Sequence, residues 1–271
     1  MNRSIRISAA VLAALALAGG AAFALLPLPG TVPVLMYHFI GTAEDAAHNK
    51  NYITRKSLER QMEFLRRFHY RVITLDELYE IKTGQRKPRG RQIVITFDDG
   101  NSSFEKEAVP ILQRYRFPVT NFIVSGNGKK QAHGSMSEEA VRRLLRYPWF
   151  HIGGHSKTHP SLTGLAPGQI REELAGSKED LESAFGVPVF YLAYPNGEVD
   201  GRAARIAEAS GYRLAFTTGY RKLKKLPEGL FTMTRVKISR TSDYPFVFWF
   251  KISGIYQLWK RTRSQVKQWK F

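Results

Sequence analysis

From residue 31 onward, short apolar runs alternate with longer segments in which apolar residues recur on one helical face. The runs QIVITF at 92–97 and VTNFIVSG at 119–126 are rich in β-branched and aromatic residues, which is typical of strands buried on both faces. Between such runs, SLERQMEFLRRFHY at 57–70 places its apolar residues at near-helical spacing and its arginines opposite. Another helix is predicted at 137–148, with Ser137 as its N-cap. The pattern predicts a β-α order repeated six or seven times.

This alternation predicts parallel strands joined by crossover helices. Two architectures share the order, a doubly wound sheet and a closed β/α barrel. No glycine-rich phosphate fingerprint follows a predicted strand, which argues against a dinucleotide-binding fold. A long amphipathic helix is predicted at 167–185, and FTMTRVKIS at 231–239 is predicted to be the last strand. We expect one domain over residues 31–242.

The N-terminal segment has the build of an export signal. Arg3 and Arg6 precede a long apolar run, and a small-x-small sequence permits cleavage after Ala24. The run is also about 20 residues long, enough to span a bilayer as an uncleaved anchor. Because it continues through residues 25–28, the retained anchor is slightly favoured. The sequence predicts an exported, periplasmic or otherwise extracytoplasmic chain whose residues 1–30 are a signal peptide or an inner-membrane anchor.

The composition of the chain limits which residues could hold a metal and which partners it could bind. The chain contains no cysteine, so any metal must be held by His, Asp, Glu or backbone groups. Its net charge of +18 favours nucleic acid, anionic lipid or another anionic polymer as a partner. Export makes nucleic acid the least expected of these. We predict a monomer that associates with a membrane through its N-terminal segment and does not bind nucleic acid.

Residues 243–271 differ from the rest of the chain. DYPFVFWFKISGIYQLWKRTRSQVKQWKF mixes aromatic with basic residues and contains one acid, Asp243. Two interpretations stay open: a terminal helix packed on the domain, or an amphipathic segment that binds a membrane or a glycan. We treat this basic aromatic tail as a region separate from the domain.

Two adjacent carboxylates, Asp98 and Asp99, end the predicted strand of VITFDDG, although neighbouring like charges repel each other. In parallel β/α folds, functional side chains collect at the carboxyl ends of the strands. The other polar residues at predicted strand ends include His38, His155, His159 and Asn196. All are expected to face one end of the domain.

Three of these residues, Asp99, His155 and His159, could hold one metal ion. If HSKTH forms a helical turn, its two histidines share a face. One carboxylate and two imidazoles leave coordination positions open, as in catalytic metal sites. Asp98 would then lie beside water activated by the metal and could remove its proton. The predicted reaction is metal-assisted hydrolysis of an acyl group.

Three segments together resemble the polysaccharide deacetylase family with the NodB-homology domain: TFDDG at 96–100, HSKTH at 155–159 and AYPNG at 193–197. The likeness runs over about residues 31–240. It implies a distorted (β/α) barrel, a divalent metal that is usually zinc, and removal of N- or O-acetyl groups from glycans. AYPNG and the early LMYH are similar to a subgroup that includes exported poly-N-acetylglucosamine deacetylases of biofilm matrix.

The resemblance also assigns roles to single residues. Asp98 matches the general base, whereas Asp99, His155 and His159 match the metal ligands. The backbone N–H of Asn196 matches the group that holds the oxyanion.

The third motif departs from the family pattern. Ala193 stands where an arginine usually orients the catalytic aspartate, and Asn196 replaces an aromatic residue. Arg235, in the last predicted strand, could substitute for the missing arginine. The late histidine that usually supplies the general acid is also missing, since no histidine follows His159. We consider His38 as the acid, and the alternative is that it only packs and orients a neighbour.

The sequence therefore predicts an exported, metal-dependent hydrolase that removes N-acetyl groups from an N-acetylglucosamine-containing polysaccharide. Two alternatives stay open. One is O-deacetylation of a cell-envelope polysaccharide, and the other is a catalytically weak glycan-binding protein of the same fold.

Overall fold

The computed structural model describes residues 31–126, 134–219 and 226–268, and the predicted signal or anchor at 1–30 lies outside them. The strands are β1 (Val34–Tyr37), β2 (Phe39–Gly41), β3 (Tyr52–Thr54), β4 (Arg71–Val72), β5 (Gln92–Phe97), β6 (Val119–Ile123), β7 (Phe150–Gly154), β8 (Tyr191–Ala193), β9 (Leu214–Thr217), β10 (Met233–Thr234) and β11 (Val236–Lys237). The α-helices are α1 (Ala43–His48), α2 (Arg55–Arg67), α3 (Leu75–Lys82), α4 (Val109–Tyr115), α5 (Glu138–Leu144), α6 (Pro167–Arg171), α7 (Ser177–Phe185), α8 (Gly201–Ala209), α9 (Pro245–Ile252) and α10 (Ile255–Gln268).

The main sheet has nine strands and is nearly closed into a barrel with flanking helices. Its order is β10-β9-β8-β7-β6-β5-β1-β11, and β4 pairs with β5 as a branch. The pairings in this sheet are parallel, as the strand–helix alternation predicts. β2 and β3 form a small separate pair. The predicted (β/α) barrel is confirmed, in preference to the doubly wound sheet.

The segment predicted as one last strand at 231–239 is instead two short strands. β10 pairs with β9, whereas β11 pairs with β1 at the other end of the sheet. Arg235 is the single residue between them, so the chain passes from one end of the sheet to the other at this position. A continuous strand could not pair with both partners, and the break therefore leaves Arg235 at the closing seam, where it is buried.

Strand side chains alternate between the barrel interior and the helical layer. Val94, Phe122 and Phe216 belong to an inner apolar cluster, whereas the neighbours of Val94, Ile93 and Ile95, belong to an outer one. All six residues of β5 are buried, which explains its unbroken apolar run. Each fully buried aliphatic side chain contributes about 1.5–3 kcal/mol relative to exposure. The two clusters hold the strand ends, and thus the polar residues that follow them, in place.

The predicted helix signals are confirmed where the structure describes them. α2 buries Leu58, Met62 and Leu65, the predicted apolar stripe. Ser137 caps α5, because its side chain accepts a hydrogen bond from the N–H of Ala140. The long helix predicted at 167–185 is continuous, but a π-helical turn at Glu172–Gly176 joins α6 to α7.

The first helix of the predicted tail, α9, packs on the domain. The ring of its buried Phe248 lies 5.6 Å from the ring of Phe64 on α2, edge to face. Of the two interpretations of the tail, the helix packed on the domain therefore holds for α9. Within residues 31–126, 134–219 and 226–268, the helices all fall short of the length and apolar character needed to cross a bilayer.

Candidate active site

The carboxyl ends of β5 and β7 bring three sequence-predicted residues together. Asp99 follows β5, whereas His155 and His159 lie on the loop after β7. One ligand atom from each lies within 4.8 Å of the other two. The Nε2 atoms of His155 and His159 lie 3.4 and 3.7 Å from Oδ1 of Asp99.

These spacings fit a metal ion better than they fit direct contacts. Both exceed the usual hydrogen-bond length of about 2.7–3.2 Å. Two ligand atoms, each about 2.1 Å from a tetrahedral metal, lie about 3.4 Å apart. The donor set of one carboxylate and two imidazoles suits a divalent transition metal such as zinc. The cage formed by Asp99, His155 and His159 therefore fits such an ion.

A backbone contact fixes the orientation of His155. Its Nδ1 lies 2.7 Å from the carbonyl oxygen of Ala193 in β8. Because a carbonyl only accepts hydrogen bonds, Nδ1 donates, and Nε2 is the ring atom that faces Asp99. The sequence gives no sign of this contact, because the partner is a main-chain atom of an alanine.

The loop at 155–159 does not form the helical turn that the four-residue spacing suggested. Ser156 and His159 both have left-handed backbones, with φ of 63° and 60°. The Ser156 hydroxyl accepts a hydrogen bond from the N–H of His159 at 2.9 Å. Glu173 accepts hydrogen bonds from the N–H groups of Lys157 and Thr158 at 2.9 and 2.8 Å. The two imidazoles therefore meet through a clamped loop, with their ring centroids 4.8 Å apart.

Left-handed backbones recur on the other loops of this end. Asp99 has φ of 78° and Asn196 has φ of 56°, values that L-residues other than glycine rarely adopt. Such conformations cost of order 1–3 kcal/mol each and collect at functional sites. Gly100, the residue after Asp99, also has a left-handed backbone, with φ of 65°.

The second carboxylate, Asp98, has a different partner. Both of its oxygens accept hydrogen bonds from the guanidinium of Arg235, each at 2.7 Å. Arg235 also donates to the Thr96 hydroxyl at 3.1 Å. Its guanidinium lies 5.4 Å from the ring of Phe122 and 5.8 Å from that of Phe216 in the barrel interior. The residue at the closing seam therefore reaches across the barrel and holds Asp98 in one orientation.

The model of the polysaccharide deacetylase family matches residues 85–215, which span the Asp98–Asp99 pair and all three residues of the cage. The chain belongs to the polysaccharide deacetylase family. Members of this family are hydrolases that act on amide bonds of acetylated sugars, and they are generally metal-dependent.

Three relatives illustrate how far the likeness extends. The chain is 29% identical over 212 residues to YxkH of Bacillus subtilis, whose name assigns it to the polysaccharide deacetylases; the match covers 78% of this chain and 72% of that protein. A crystal structure of a polysaccharide deacetylase from Bacillus cereus superposes with a TM-score of 0.68 at 28% identity, covering 80% of this chain and 68% of that one. The poly-β-1,6-N-acetyl-D-glucosamine N-deacetylase of Staphylococcus aureus is 24% identical over 192 residues, 66% of each chain.

In the deacetylase pattern an arginine usually stands at the position of Ala193 and orients the catalytic aspartate. In this chain the arginine that contacts Asp98 is Arg235. Ala193 is fully buried and belongs to the inner barrel cluster with Phe122 and Phe216. Its methyl group carries no charge, and the guanidinium that contacts Asp98 comes from Arg235, between β10 and β11.

Electrostatic balance keeps both aspartates of the deacetylase motif ionised. Burial would raise both pKa values, but positive neighbours outweigh it. Arg235 holds the pKa of Asp98 below its usual value. For Asp99, interaction with His155 lowers the pKa to about 2. For the imidazole of His155 burial acts in the opposite direction and would lower the pKa. The negative charges of Asp98 and Asp99 outweigh burial, so the pKa of His155 is raised.

The two remaining predicted residues, His38 and Asn196, follow two strands that are not adjacent in the sheet, β1 and β8. His38 follows β1, and its Nδ1 is buried without a hydrogen-bond partner among the described residues. Burial lowers the pKa of His38, and the nearby charges of Asp98 and Asp99 oppose that effect. Asn196 follows β8 with its side chain exposed. Their catalytic roles stay predictions.

Proposed function

We propose that this chain is an exported, metal-dependent glycan N-deacetylase whose substrate is a polysaccharide containing N-acetylglucosamine. The observation that carries the proposal is the pairing of two carboxylates with separate partners. Asp99 lies in the histidine cage, whereas Asp98 next to it is held by Arg235. A metal ligand and a proton acceptor are thereby placed side by side, as hydrolysis of an amide requires.

Asp99, His155 and His159 would hold the divalent cation, for which we propose zinc. When bound, the ion would polarise the acetyl carbonyl and make the attacking water more acidic. Asp98 accepts the water proton in this proposal. Although Arg235 donates to both of its oxygens, each carboxylate oxygen has a second lone pair for this purpose.

The leaving amine needs a proton, and we assign its delivery to His38. The assignment rests on the position of His38 at the end of β1, the strand that pairs with β5. Burial lowers the pKa of the ring, and a protonated imidazole with a lowered pKa gives up its proton more readily. The backbone N–H of Asn196 is proposed to stabilise the negative oxygen of the tetrahedral intermediate. The left-handed backbone of Asn196 is consistent with a turn shaped around a bound group.

The N-acetylglucosamine polymer and the location are also part of the proposal. They rest on the Staphylococcus aureus relative, named for its action on poly-β-1,6-N-acetyl-D-glucosamine. Export rests on the basic and apolar segment at residues 1–30, which we propose as a signal peptide or an inner-membrane anchor.

The decisive experiment measures acetate release by the full chain from poly-N-acetylglucosamine, before and after chelation and zinc reconstitution. We expect release that the chelator abolishes and zinc restores. A parallel panel of O-acetylated glycans separates amide from ester hydrolysis. Binding to the polymer without acetate release at saturating zinc would overturn the proposal and favour a glycan-binding protein.

A further inference from the structure

The exposed large apolar side chains in the described part of the chain are concentrated at its C-terminal end. They are Tyr244, Phe246, Ile255, Leu258 and Trp259, with exposures of 71%, 72%, 38%, 49% and 43%. We call residues 244–268 the C-terminal helix pair, because they contain α9, α10 and the residue before them. An apolar patch of this kind on a soluble domain marks a surface that another body covers.

The inner side of the helix pair is already docked on the domain. Phe248 and Ile252 of α9 are buried. Nζ of the buried Lys251 donates hydrogen bonds to the carbonyl oxygen of Lys237 at 3.0 Å and to the Ser242 hydroxyl at 2.8 Å. Because these contacts fix α9, the exposed Tyr244 and Phe246 cannot be buried by rotating the helix onto the domain.

The apolar residues of α10 follow helical spacing. Ile255, Leu258 and Trp259 stand at positions i, i+3 and i+4 and therefore share one face. Gly254, with φ of 79°, makes the turn that separates this helix from α9. Nζ of Lys260 lies 5.3 Å from the ring centroid of Tyr256 and 5.7 Å from that of Trp259. The apolar face of α10 thus has a cation at its side.

The positive charges in the sequence around this face are not balanced by nearby acidic residues. No acidic residue follows Asp243, whereas lysines and arginines continue to the end of the chain. Trp, Tyr and Phe beside Lys and Arg are the residues that amphipathic helices place at the boundary of headgroups and acyl chains. A second copy of this chain would bring a net charge of +18 against another +18, which disfavours self-association.

We propose that the C-terminal helix pair is a membrane-surface binding element that recognises anionic lipid. Its exposed aromatic and aliphatic side chains enter the interface, and its cations contact the headgroups. This inference goes beyond the proposed reaction and does not depend on it.

The position of the element relative to the site adds a consequence. Lys237 is the last residue of β11, and its carbonyl oxygen accepts the hydrogen bond from Nζ of Lys251. Asp98 follows the same end of the parallel strand β5. The helix pair is therefore joined to the end of the barrel that carries the candidate site, and membrane binding would hold that end near the lipid surface.

The absence of cysteine makes a clean test possible in the full chain. Leu258→Cys is labelled with a nitrobenzoxadiazole fluorophore and mixed with phosphatidylcholine vesicles, with or without phosphatidylglycerol. Glu208→Cys on α8, an exposed position outside the helix pair, is the matched control. We expect a shift to shorter wavelength and a severalfold rise in emission at position 258 with anionic vesicles only, and no change at position 208.

Three results would overturn the proposal. An unchanged label at position 258 on protein that co-sediments with vesicles would assign binding to another segment. A blue shift without vesicles that grows with protein concentration would indicate a second copy as the occupant. A response to poly-N-acetylglucosamine but not to vesicles would indicate a glycan surface. Acetate release from short soluble oligomers, measured on the same samples, separates this outcome from failure of the deacetylase proposal.

Discussion

At the site end of the barrel charged side chains are buried, whereas in the C-terminal helix pair apolar side chains are exposed. Asp98 and Arg235 are 2% and 5% exposed, but Tyr244 and Phe246 are more than 70% exposed. Both regions reverse the usual distribution, in which charges contact water and large apolar groups do not. The difference lies in what compensates the reversal.

The buried charges find their compensation inside the molecule. Arg235 neutralises Asp98 through two hydrogen bonds, and the histidines surround Asp99. The exposed apolar groups are not covered by the residues that the structure describes, and α9 is already packed on the domain by its other side. The described contacts of the first region thus balance its charges within the molecule, whereas the exposed face of the second is the surface for which we propose a lipid partner.

The strongest way to break this comparison is to remove the buried negative charge. In Asp98→Asn we expect kcat for acetate release to fall about 10³-fold, since an amide cannot act as the general base. The metal content, measured by mass spectrometry, should remain that of the parent. Stability should fall by about 3 kcal/mol, because the buried Arg235 loses its charged partner.

Asp200→Asn is the control for this substitution, since Asp200 also pairs with an arginine but on the surface. We expect it to leave kcat unchanged. Parent-like turnover in Asp98→Asn, or loss of the metal, would contradict the separate roles of the two aspartates.

A smaller change keeps the charge but alters its geometry. Arg235→Lys retains a cation opposite Asp98, yet a lysine cannot donate to both oxygens in the fixed fork that the guanidinium provides. We expect kcat to fall about tenfold to 100-fold, with KM nearly unchanged, because orientation rather than binding is lost. Arg202→Lys at the surface pair with Asp200 is the control. An unchanged kcat would show that Arg235 has a structural role only.

The smallest expected effect concerns the side of the helix pair that is docked on the domain. Burial lowers the pKa of Lys251 to about 8 from 10.5. Because the folded pKa is the lower one, the unfolded chain binds more protons between these values, and stability rises with pH. The parent should gain about 1 kcal/mol in free energy of unfolding between pH 7 and pH 9 relative to Lys251→Met.

Chemical denaturation at the two pH values measures this difference. Lys82→Met, which changes an exposed lysine at the end of α3, should behave like the parent. If Lys251→Met shows the same pH dependence as the parent, the amine is not held in the desolvated position that the contacts indicate.

The architecture was largely predictable from the sequence, because the spacing of apolar residues reflects both the type of each element and the side that it buries. Unbroken apolar runs such as β5 predict strands buried on both faces, and the stripe of α2 predicts a helix that packs by one side. The prediction of one continuous last strand was wrong. The strand is broken at Arg235 because its two halves pair with different strands, β9 and β1, and the local sequence does not reveal these partners.

The candidate site was predictable in composition but less so in conformation. The residues of the cage stand at strand ends, where parallel folds gather functional groups, and the structure brings them together. The helical turn expected at 155–159 was wrong, because Ser156 and His159 adopt left-handed backbones that the surrounding contacts enforce. The orientation of His155 by the Ala193 carbonyl left no signal in the side-chain sequence.

By itself the sequence determined the alternation of strands and helices, the types of donor available for a metal, and the excess of positive charge at the end of the chain. These follow from local spacing and composition, which each segment carries alone. The sequence offered Arg235 only as a candidate partner, and the tertiary structure decided that it meets Asp98 across 137 positions of chain and that one face of the helix pair stays exposed. Both depend on how barrel closure fixes distant segments, and that energy is shared over the whole core rather than written in any one stretch.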